Sequence, residues 1–246
     1  MVLKRISFCL FLLYMFSCSK NNSNTPNTPP VTPVVNCRIT AASLVSGTGV
    51  HIGDYAFQYN TDGSLAGSLY AAGIYSDTVS YKYDGKLIYR SVAAGVNSSV
   101  DTITLNDAGM EVMDKAQIGV SVYRTNYIYD ANGLLTTFKQ QQDAYPPTIS
   151  SYTFTNGDNT LITNGTSADT LVYDTKKPAV MGNMDQFNQL LSFGAIYIKN
   201  KHLLTEEHHG SVSFYTYTFT MEGNIAMVKI ATGINSVTIS YNYDCK

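Results

Sequence analysis

Along most of the chain, apolar and polar residues alternate in short runs that are separated by Asp, Asn and Gly. The segment TNYIYDANGLLTTF, residues 125–138, shows this pattern once in full. Its alternating Tyr127 and Tyr129 are typical of a half-buried strand. Asp130 and Gly133 then supply a turn, because an Asx side chain caps its own backbone and Gly adopts positive φ at low cost. The segment predicts a β-hairpin with its tyrosine face in the core.

The same unit recurs along the chain. The residues before the successive turns are Tyr59, Tyr83, Leu105, Tyr129, Phe154, Tyr173, Phe219 and Tyr243. The steps between them are 24, 22, 24, 25, 19, 46 and 24 residues. One unit is a hairpin plus the link to the next hairpin. Seven or eight units predict an all-β fold, a long antiparallel meander of about 14 strands that is curled or folded on itself to cover its apolar face. Whether the sheet closes into a barrel stays open.

One step is nearly double the others, as if another element replaced a unit there. Within it, Met184, Phe187, Leu190 and Leu191 have helical spacing, and Asp185 is a candidate cap. The spacing predicts a short helical insert near 185–192 that plugs one end or face of the sheet. An irregular loop is the alternative.

The N-terminus has the features of an export signal. Two basic residues and an apolar run precede small Ser17 and then Cys18. We interpret residues 1–17 as a lipoprotein signal peptide, and residues 18–35 as the lipidated Cys18 with a Pro/Asn/Thr-rich tether. Residues 36–246 then form a single β-rich repeat domain. An ordinary secretory cleavage nearby, with Cys18 incidental, is the alternative.

Charge and cysteine content narrow the classes of function. Two of the 16 Lys and Arg residues lie in the predicted signal peptide. The mature chain therefore has 14 basic residues against 18 Asp and Glu residues, a net charge near −4. This mild charge and the lack of a basic run argue against nucleic-acid binding. Cys9 leaves with the signal, so Cys37 and Cys245 remain at the two ends of the domain. In an oxidising compartment we expect them to form a disulfide, with two buried thiols as the alternative.

The Tyr-x-Tyr-Asp-x-x-Gly-x-Leu units resemble YD-type repeats. With Cys18, the late segment LLT…YTYTFT…G and the terminal YNYDC, the chain resembles the uncharacterised β-rich lipoproteins of Bacteroidota, which form domain-of-unknown-function families. The resemblance covers about residues 37–246. It implies a lipoprotein anchored on the outer membrane of the cell envelope, on the periplasmic or the surface-facing leaflet, and it supplies no catalytic residue and no cofactor.

The best polar cluster is KHLLTEEHHG, residues 201–210. On a helix, His202, Glu206 and His209 share a face, as metal ligands do, whereas on a strand His202, Glu206 and His208 share one. A solvated turn is the plainer interpretation, since Gly210 follows directly. We expect no metal site here and keep these residues only as weak candidates.

Carboxylates recur at the predicted turns. They are Asp62, Asp84, Asp107, Asp130 and Asp174. On successive hairpins they could line one edge and bind calcium, but none has the density of a dedicated calcium loop. Turn capping is the simpler explanation.

These patterns favour a non-enzymatic binding or structural module on a tether. Its expected partners are the membrane, through the lipid, and a glycan, a peptide or another envelope protein. The tyrosines are expected to form the core, although exposed aromatic rows would stack sugars or peptides. The alternative is a secreted hydrolase with an unrecognised site around His202–His209, which includes Glu207.

Overall fold

The computed structural model describes residues 37–94, 97–192 and 199–245. These residues form sixteen β-strands and one α-helix, which we call α1. The predicted signal peptide, Cys18 and the tether lie outside the described residues. The elements are β1 (Cys37–Ser46), β2 (His51–Tyr59), β3 (Leu65–Ala72), β4 (Tyr75–Asp84), β5 (Leu87–Ala94), β6 (Asn97–Leu105), β7 (Glu111–Ile118), β8 (Ser121–Tyr129), β9 (Leu135–Gln142), β10 (Thr148–Thr155), β11 (Asp158–Asn164), β12 (Ser167–Pro178), α1 (Met184–Ser192), β13 (His202–His209), β14 (Ser211–Phe219), β15 (Ile225–Thr232) and β16 (Asn235–Cys245).

Every strand pairs antiparallel with its neighbours in sequence, and β16 pairs with β1, so the sheet is a closed barrel. The expected all-β antiparallel fold is therefore confirmed, and the expected count of about 14 strands was wrong. The meander is a closed barrel, a point that the sequence left open. The eight anchor residues lie on the eight even-numbered strands. The truncated last unit, SYNYDC, is the end of β16, and its missing partner strand is β1. Closure thus joins the two chain ends, which no local pattern reveals.

The doubled step does not replace a hairpin. Strands β12 and β13 still pair, and the extra residues form the connection between them. The predicted helix is present as α1. Its N-terminal cap is Asn183, whose Oδ1 accepts from the Gln186 backbone N–H at 3.0 Å, and not the expected Asp185. Asp185 instead accepts from the Asn200 amide at 2.7 Å, which ties the helix to the chain returning into β13.

Helix α1 packs against the inner wall of the barrel. The Phe187 ring lies 5.8 Å from the Tyr55 ring and 5.5 Å from the Tyr241 ring, measured between centroids. Phe187 and Leu190 belong to one core cluster with inward residues of both early and late strands. The helix therefore fills the barrel with apolar side chains, as the plug interpretation predicts. Among the described residues, no helix is long and apolar enough to cross a bilayer.

The two faces of the wall differ in chemistry. On β8 the inward positions include Thr125 and Tyr127, which are buried, whereas Arg124, Asn126 and Ile128 are exposed. The other even-numbered strands follow the same rule. Their exposed positions are mainly Ser, Thr, Asn and Lys, with single aliphatic residues between them. The tyrosine face is the inner face, as expected, and the outer face is predominantly polar.

The repeated turn has one geometry. Asp130 N–H donates to the Leu134 carbonyl at 2.9 Å, and Gly133 N–H donates to the Asp130 carbonyl at 3.0 Å. Gly133 has φ +77°, as predicted. The Asp130 carboxylate accepts from the backbone N–H groups of Asn132 and Leu134, both at 2.9 Å. The same backbone frame recurs at residues 60–64, 106–110 and 220–224. This repetition explains the spacing of Asx and Gly in the sequence.

The anchor tyrosines act as struts between strands. The hydroxyl of Tyr129, at the end of β8, donates to the Glu111 carbonyl at the start of β7 at 2.6 Å. The same bond runs from Tyr59 to Ile39 at 2.7 Å and from Tyr83 to Leu65 at 2.8 Å. An equivalent bond leaves the anchor Tyr243, and on β14 Tyr217, two residues before the anchor Phe219, makes one to the Leu204 carbonyl. At four of the eight anchor positions, Tyr59, Tyr83, Tyr129 and Tyr243, the hydroxyl therefore secures the end of the hairpin to the preceding strand. This gives the recurring tyrosine a structural reason.

The chain ends are joined at the closure of the barrel. Cys37 and Cys245 are register partners on β1 and β16, and they form the predicted disulfide across a sequence separation of 208 residues. Next to it, Arg38 pairs with Asp244 at 2.8 Å. These contacts close the barrel covalently and electrostatically at one end.

Candidate functional site

The predicted polar segment His202–His209 is strand β13, not a solvated turn. Its residues form separate pairs. His208 Nε2 lies 3.2 Å from Glu206 on the half-exposed face. Glu207 accepts from the Tyr215 hydroxyl at 2.6 Å in the core. His209 Nδ1 pairs with an Asp169 carboxylate oxygen, and this aspartate belongs to β12. The wall of the barrel therefore separates the candidate residues and does not bring them together.

His202 has a role in the architecture. Its Nδ1 lies 2.6 Å from Asp158 Oδ2, while Asp158 Oδ1 accepts from the backbone N–H groups of Lys201 and His202 at 2.8 and 3.0 Å. Asp158 thus fixes the point at which the chain returns from α1 into β13. Across residues 37–94, 97–192 and 199–245, no three His, Cys, Asp or Glu side chains are arranged to hold a metal ion.

The turn carboxylates all lie at one end of the barrel, and several have local partners. Asp62 Oδ1 accepts from the Ser64 backbone N–H at 2.9 Å, and Asp130 caps its own turn. Asp107 pairs with Lys86, and Asp174 accepts from the Lys176 backbone N–H at 3.1 Å. Asp84 is the exposed last residue of β4. Hydrogen bonding lowers the pKa of the Asp62 and Asp130 carboxyls, which matches the capping interpretation.

A buried charged group was not anticipated from the sequence. Arg90 pairs with Asp101 inside the barrel, with Glu111, Asp114 and Tyr127 nearby. Burial raises the pKa of Glu111 to about 9, and the neighbouring Asp114 carboxylate adds to this, whereas Arg90 and the Tyr127 hydroxyl oppose it. Burial also raises the pKa of Asp114 to about 6.

These groups come from four strands, so only the strand register brings them together. A charged residue at an inward position, such as Asp101 in VDTIT, is the one sequence signal that would have indicated them. Asp101 and Glu111 are fully buried. In this conformation neither carboxyl group can contact a large substrate.

A shallow groove on the outer wall is formed by β1, β2, β3 and β16. It is lined mainly by small side chains such as Ala41, Ala56 and Ser240, with Leu69 and Asp54 at its margin. None of the residues that line this groove belongs to the predicted polar segment on β13.

The two ends of the barrel differ in the exposed residues that their turns carry. Turns that follow even-numbered strands lie at the end where β1 begins and β16 finishes, which we call the tether end. Their exposed residues are mainly polar, such as Asp62, Lys86, Asp107, Asp130 and Glu222, with Met221 as a protruding apolar residue. Turns that follow odd-numbered strands lie at the opposite end. Five of the turns described there expose large apolar residues, which we call the apolar rim: Val50, Ile74, Tyr75, Val120, Tyr145 and Ile234.

The tips of the apolar rim protrude completely. The relative exposures are 95% for Ile74, 99% for Val120 and 102% for Ile234. Each follows a glycine at positive φ in a two-residue turn. Single exposed apolar residues are normal on a protein surface, but here six of the seven large apolar side chains that are more than 60% exposed among the described residues lie at this one end of the barrel. The apolar rim is therefore the best candidate functional site in the described part of the chain.

Comparison with known proteins finds solved structures with a similar fold. No family model matches the sequence, and no curated protein matches it. A solved structure described as a porin-like protein from Bacteroides uniformis aligns with a TM-score of 0.62 at 17% identity, over 87% of this chain and 99% of that chain. A porin-like protein from Bacteroides vulgatus aligns with a TM-score of 0.49 at 16% identity, over 83% of this chain and 98% of the other. The first likeness supports the barrel fold at this level of identity and nothing finer.

Proposed function

We propose that this chain is a non-enzymatic binding module of the cell envelope, anchored by lipid on Cys18 and presenting the apolar rim to its partner. The observation that carries the proposal is the distribution of apolar surface. The inward faces are largely apolar and aromatic apart from the buried charged group around Asp101, and the outer wall is mainly Ser, Thr, Asn and Lys with single aliphatic residues. In the part of the chain that the structure describes, six of the seven large apolar side chains that are more than 60% exposed lie at the end opposite Cys37.

The polar wall argues for a barrel that stands in water. A membrane-spanning barrel carries an apolar outer band with aromatic girdles and a polar interior. Here the outward positions on β8 are polar where such a barrel would be apolar, since Arg124 and Asn126 are exposed and Tyr127 is buried. A water-facing barrel needs another means of attachment to a membrane. The lipobox-like MFSC and the Pro-rich segment 18–35 supply one.

The envelope location has two further supports. The sequence resembles uncharacterised lipoproteins of Bacteroidota, and the structural neighbour described as porin-like comes from Bacteroides. The disulfide between Cys37 and Cys245 fits an oxidising compartment. The binding role follows from the apolar rim, because a purely structural barrel gains nothing from side chains that protrude into water.

The test is membrane fractionation of the full chain expressed in a Gram-negative host that exports and lipidates it. Wild type should sediment with membranes, resist carbonate extraction and carry acyl mass on Cys18. Cys18→Ala should be released into the carbonate supernatant, because the acyl chains supply the stable anchoring. Cys9→Ala is the matched control and should behave as wild type, since Cys9 lies in the predicted signal. A Cys18→Ala chain that stays in the carbonate pellet, or a wild type without acyl mass, would refute the anchor.

A further inference from the structure

The apolar tips of the rim are not required by the turns that carry them. Gly73-Ile74, Gly119-Val120 and Gly233-Ile234 are two-residue turns in which glycine takes the positive φ. The second position of a Gly-X turn favours Asn, Asp or Ser. The turn Gly165-Thr166 uses a polar residue at this position in the same barrel. The fold would therefore accept polar residues at all three tips, so their apolar character points to a contact outside the chain.

The arrangement of the tips identifies the kind of contact. Neighbouring turns at one end of a barrel are two strands apart, or about 10 Å, so the tips stand as separate points on an arc and not as one patch. A rigid protein partner would need a matching pocket for each point, and protein hot spots are usually clustered around aromatic or Arg anchors. A fluid surface accommodates each tip independently. We propose that the apolar rim docks on the surface of a lipid bilayer, with the aliphatic tips inserted at headgroup depth.

The aromatic residues of the rim fit this surface. Tyr75 directly follows Ile74, and Tyr145 occupies the β9–β10 turn, with exposures of 62% and 67%. Tyrosine is enriched at membrane–water interfaces, where its ring and hydroxyl occupy the headgroup region. An aliphatic tip with a tyrosine beside it therefore matches the gradient of polarity at a bilayer surface.

The charge of the rim indicates which lipids it fits. In the turns that carry the rim residues, the charged side chain at the tips is Asp143. Its Oδ1 accepts from the Val122 backbone N–H at 2.8 Å, so this carboxylate is engaged within the barrel. No Lys or Arg lies in these described turns. Docking should therefore be driven by apolar burial, favour neutral lipids and be insensitive to salt.

The tether allows this orientation on the membrane that holds the lipid. Nineteen residues lead from Cys18 to Cys37, which is at most about 60 Å of extended chain. The ten residues of β1 span about 33 Å along the wall. The chain can thus run past the barrel and let the rim meet the same bilayer. The inference rests on the proposed function only in requiring that the barrel reaches an envelope membrane.

The experiment uses the Cys18→Ala chain after export, so that no acyl chain contributes, with vesicles of phosphatidylcholine and phosphatidylethanolamine. We expect it to float with the vesicles equally at about 0.1 M and about 1 M salt. Adding Ile74→Asn, Val120→Asn and Ile234→Asn should weaken partitioning about tenfold or more. The matched control adds Val100→Thr, Ile128→Thr and Met221→Ser, which remove three exposed apolar side chains elsewhere, and should leave partitioning unchanged.

Because the chain lacks Trp, a single introduced Trp reports its own surroundings. The fluorescence emission maximum of the Val120→Trp variant should shift to shorter wavelength when vesicles are added. That of Met221→Trp, at the tether end, should not. No vesicle binding by the Cys18→Ala chain, or equal losses in the rim and control variants, would overturn the proposal. A third contradicting result is a dimer in light scattering that the rim substitutions abolish, together with no vesicle binding. The rim would then join two copies of the chain. None of these outcomes depends on whether Cys18 is acylated.

Discussion

The strut formed by Tyr129 makes a quantitative prediction. Its hydroxyl donates to the Glu111 carbonyl at 2.6 Å from a half-buried position, so Tyr129→Phe keeps the ring and removes one hydrogen bond. A bond of this kind contributes about 1 kcal/mol, and an acceptor left buried without it adds to the cost. We expect a loss of about 1–2 kcal/mol in the free energy of unfolding. For a domain of this size that corresponds to a fall of about 2–8 °C in Tm.

The assay is a urea melt under oxidising conditions, with Tyr145→Phe as the control. The Tyr145 ring is 67% exposed in a turn, so removing its hydroxyl should change stability by less than about 0.5 kcal/mol. The struts at Tyr59 and Tyr129 are on distant strands, and their Phe substitutions should add. If Tyr129→Phe is as mild as Tyr145→Phe, the recurring tyrosine is not a strut, and its repetition needs another explanation.

Three further predictions concern other parts of the barrel. Gly133→Val places a β-carbon at φ +77° and should lower the free energy of unfolding by about 1–3 kcal/mol in urea melts. Ile128→Thr should cost much less, because the Ile128 side chain is 53% exposed. A larger loss for Ile128→Thr than for Gly133→Val would place the tyrosine face outside. Replacing Cys37 and Cys245 with Ser should cost up to about 5 kcal/mol through loop entropy, and an unchanged melt would contradict this. The pKa of Glu111 is raised from 4.5 to about 9, so the folded state keeps a proton that the unfolded state releases. The free energy of unfolding should therefore fall as the pH rises between these two values. Glu111→Gln should reduce this fall by at least about 1 kcal/mol between about pH 5 and about pH 8, and an unaltered pH profile would show that Glu111 is not its source.

The local structure was predictable from the sequence because it depends on neighbouring residues. The alternation around Tyr127 and Tyr129 predicted which face of the strand points inward. Asp130 and Gly133 predicted the turn and the positive φ of Gly133. Helical spacing near residue 187 gave α1, although competition among polar residues moved the cap to Asn183.

Closure and the candidate site depend on register and were not predicted. The pairing of β1 with β16 joins residues about 200 apart, and the placement of Cys37 and Cys245 was its one sequence signal. The apolar rim was missed because the short turns were treated only as links between units. Gly-Ile and Gly-Val pairs in AAGIYS, QIGVSV and ATGINS, where a polar second residue is usual, were the available signal.

The most direct test of the account asks whether the outer wall faces water while the protein is on the membrane. Asn126→Cys and Thr153→Cys place a thiol at exposed wall positions, and Thr125→Cys places one at a buried inward position. In membranes without detergent, a water-soluble maleimide should label the first two rapidly and the third slowly. Protection of the two wall positions until detergent is added would mean that lipid covers the wall, and would contradict the claim of a tethered barrel standing in water.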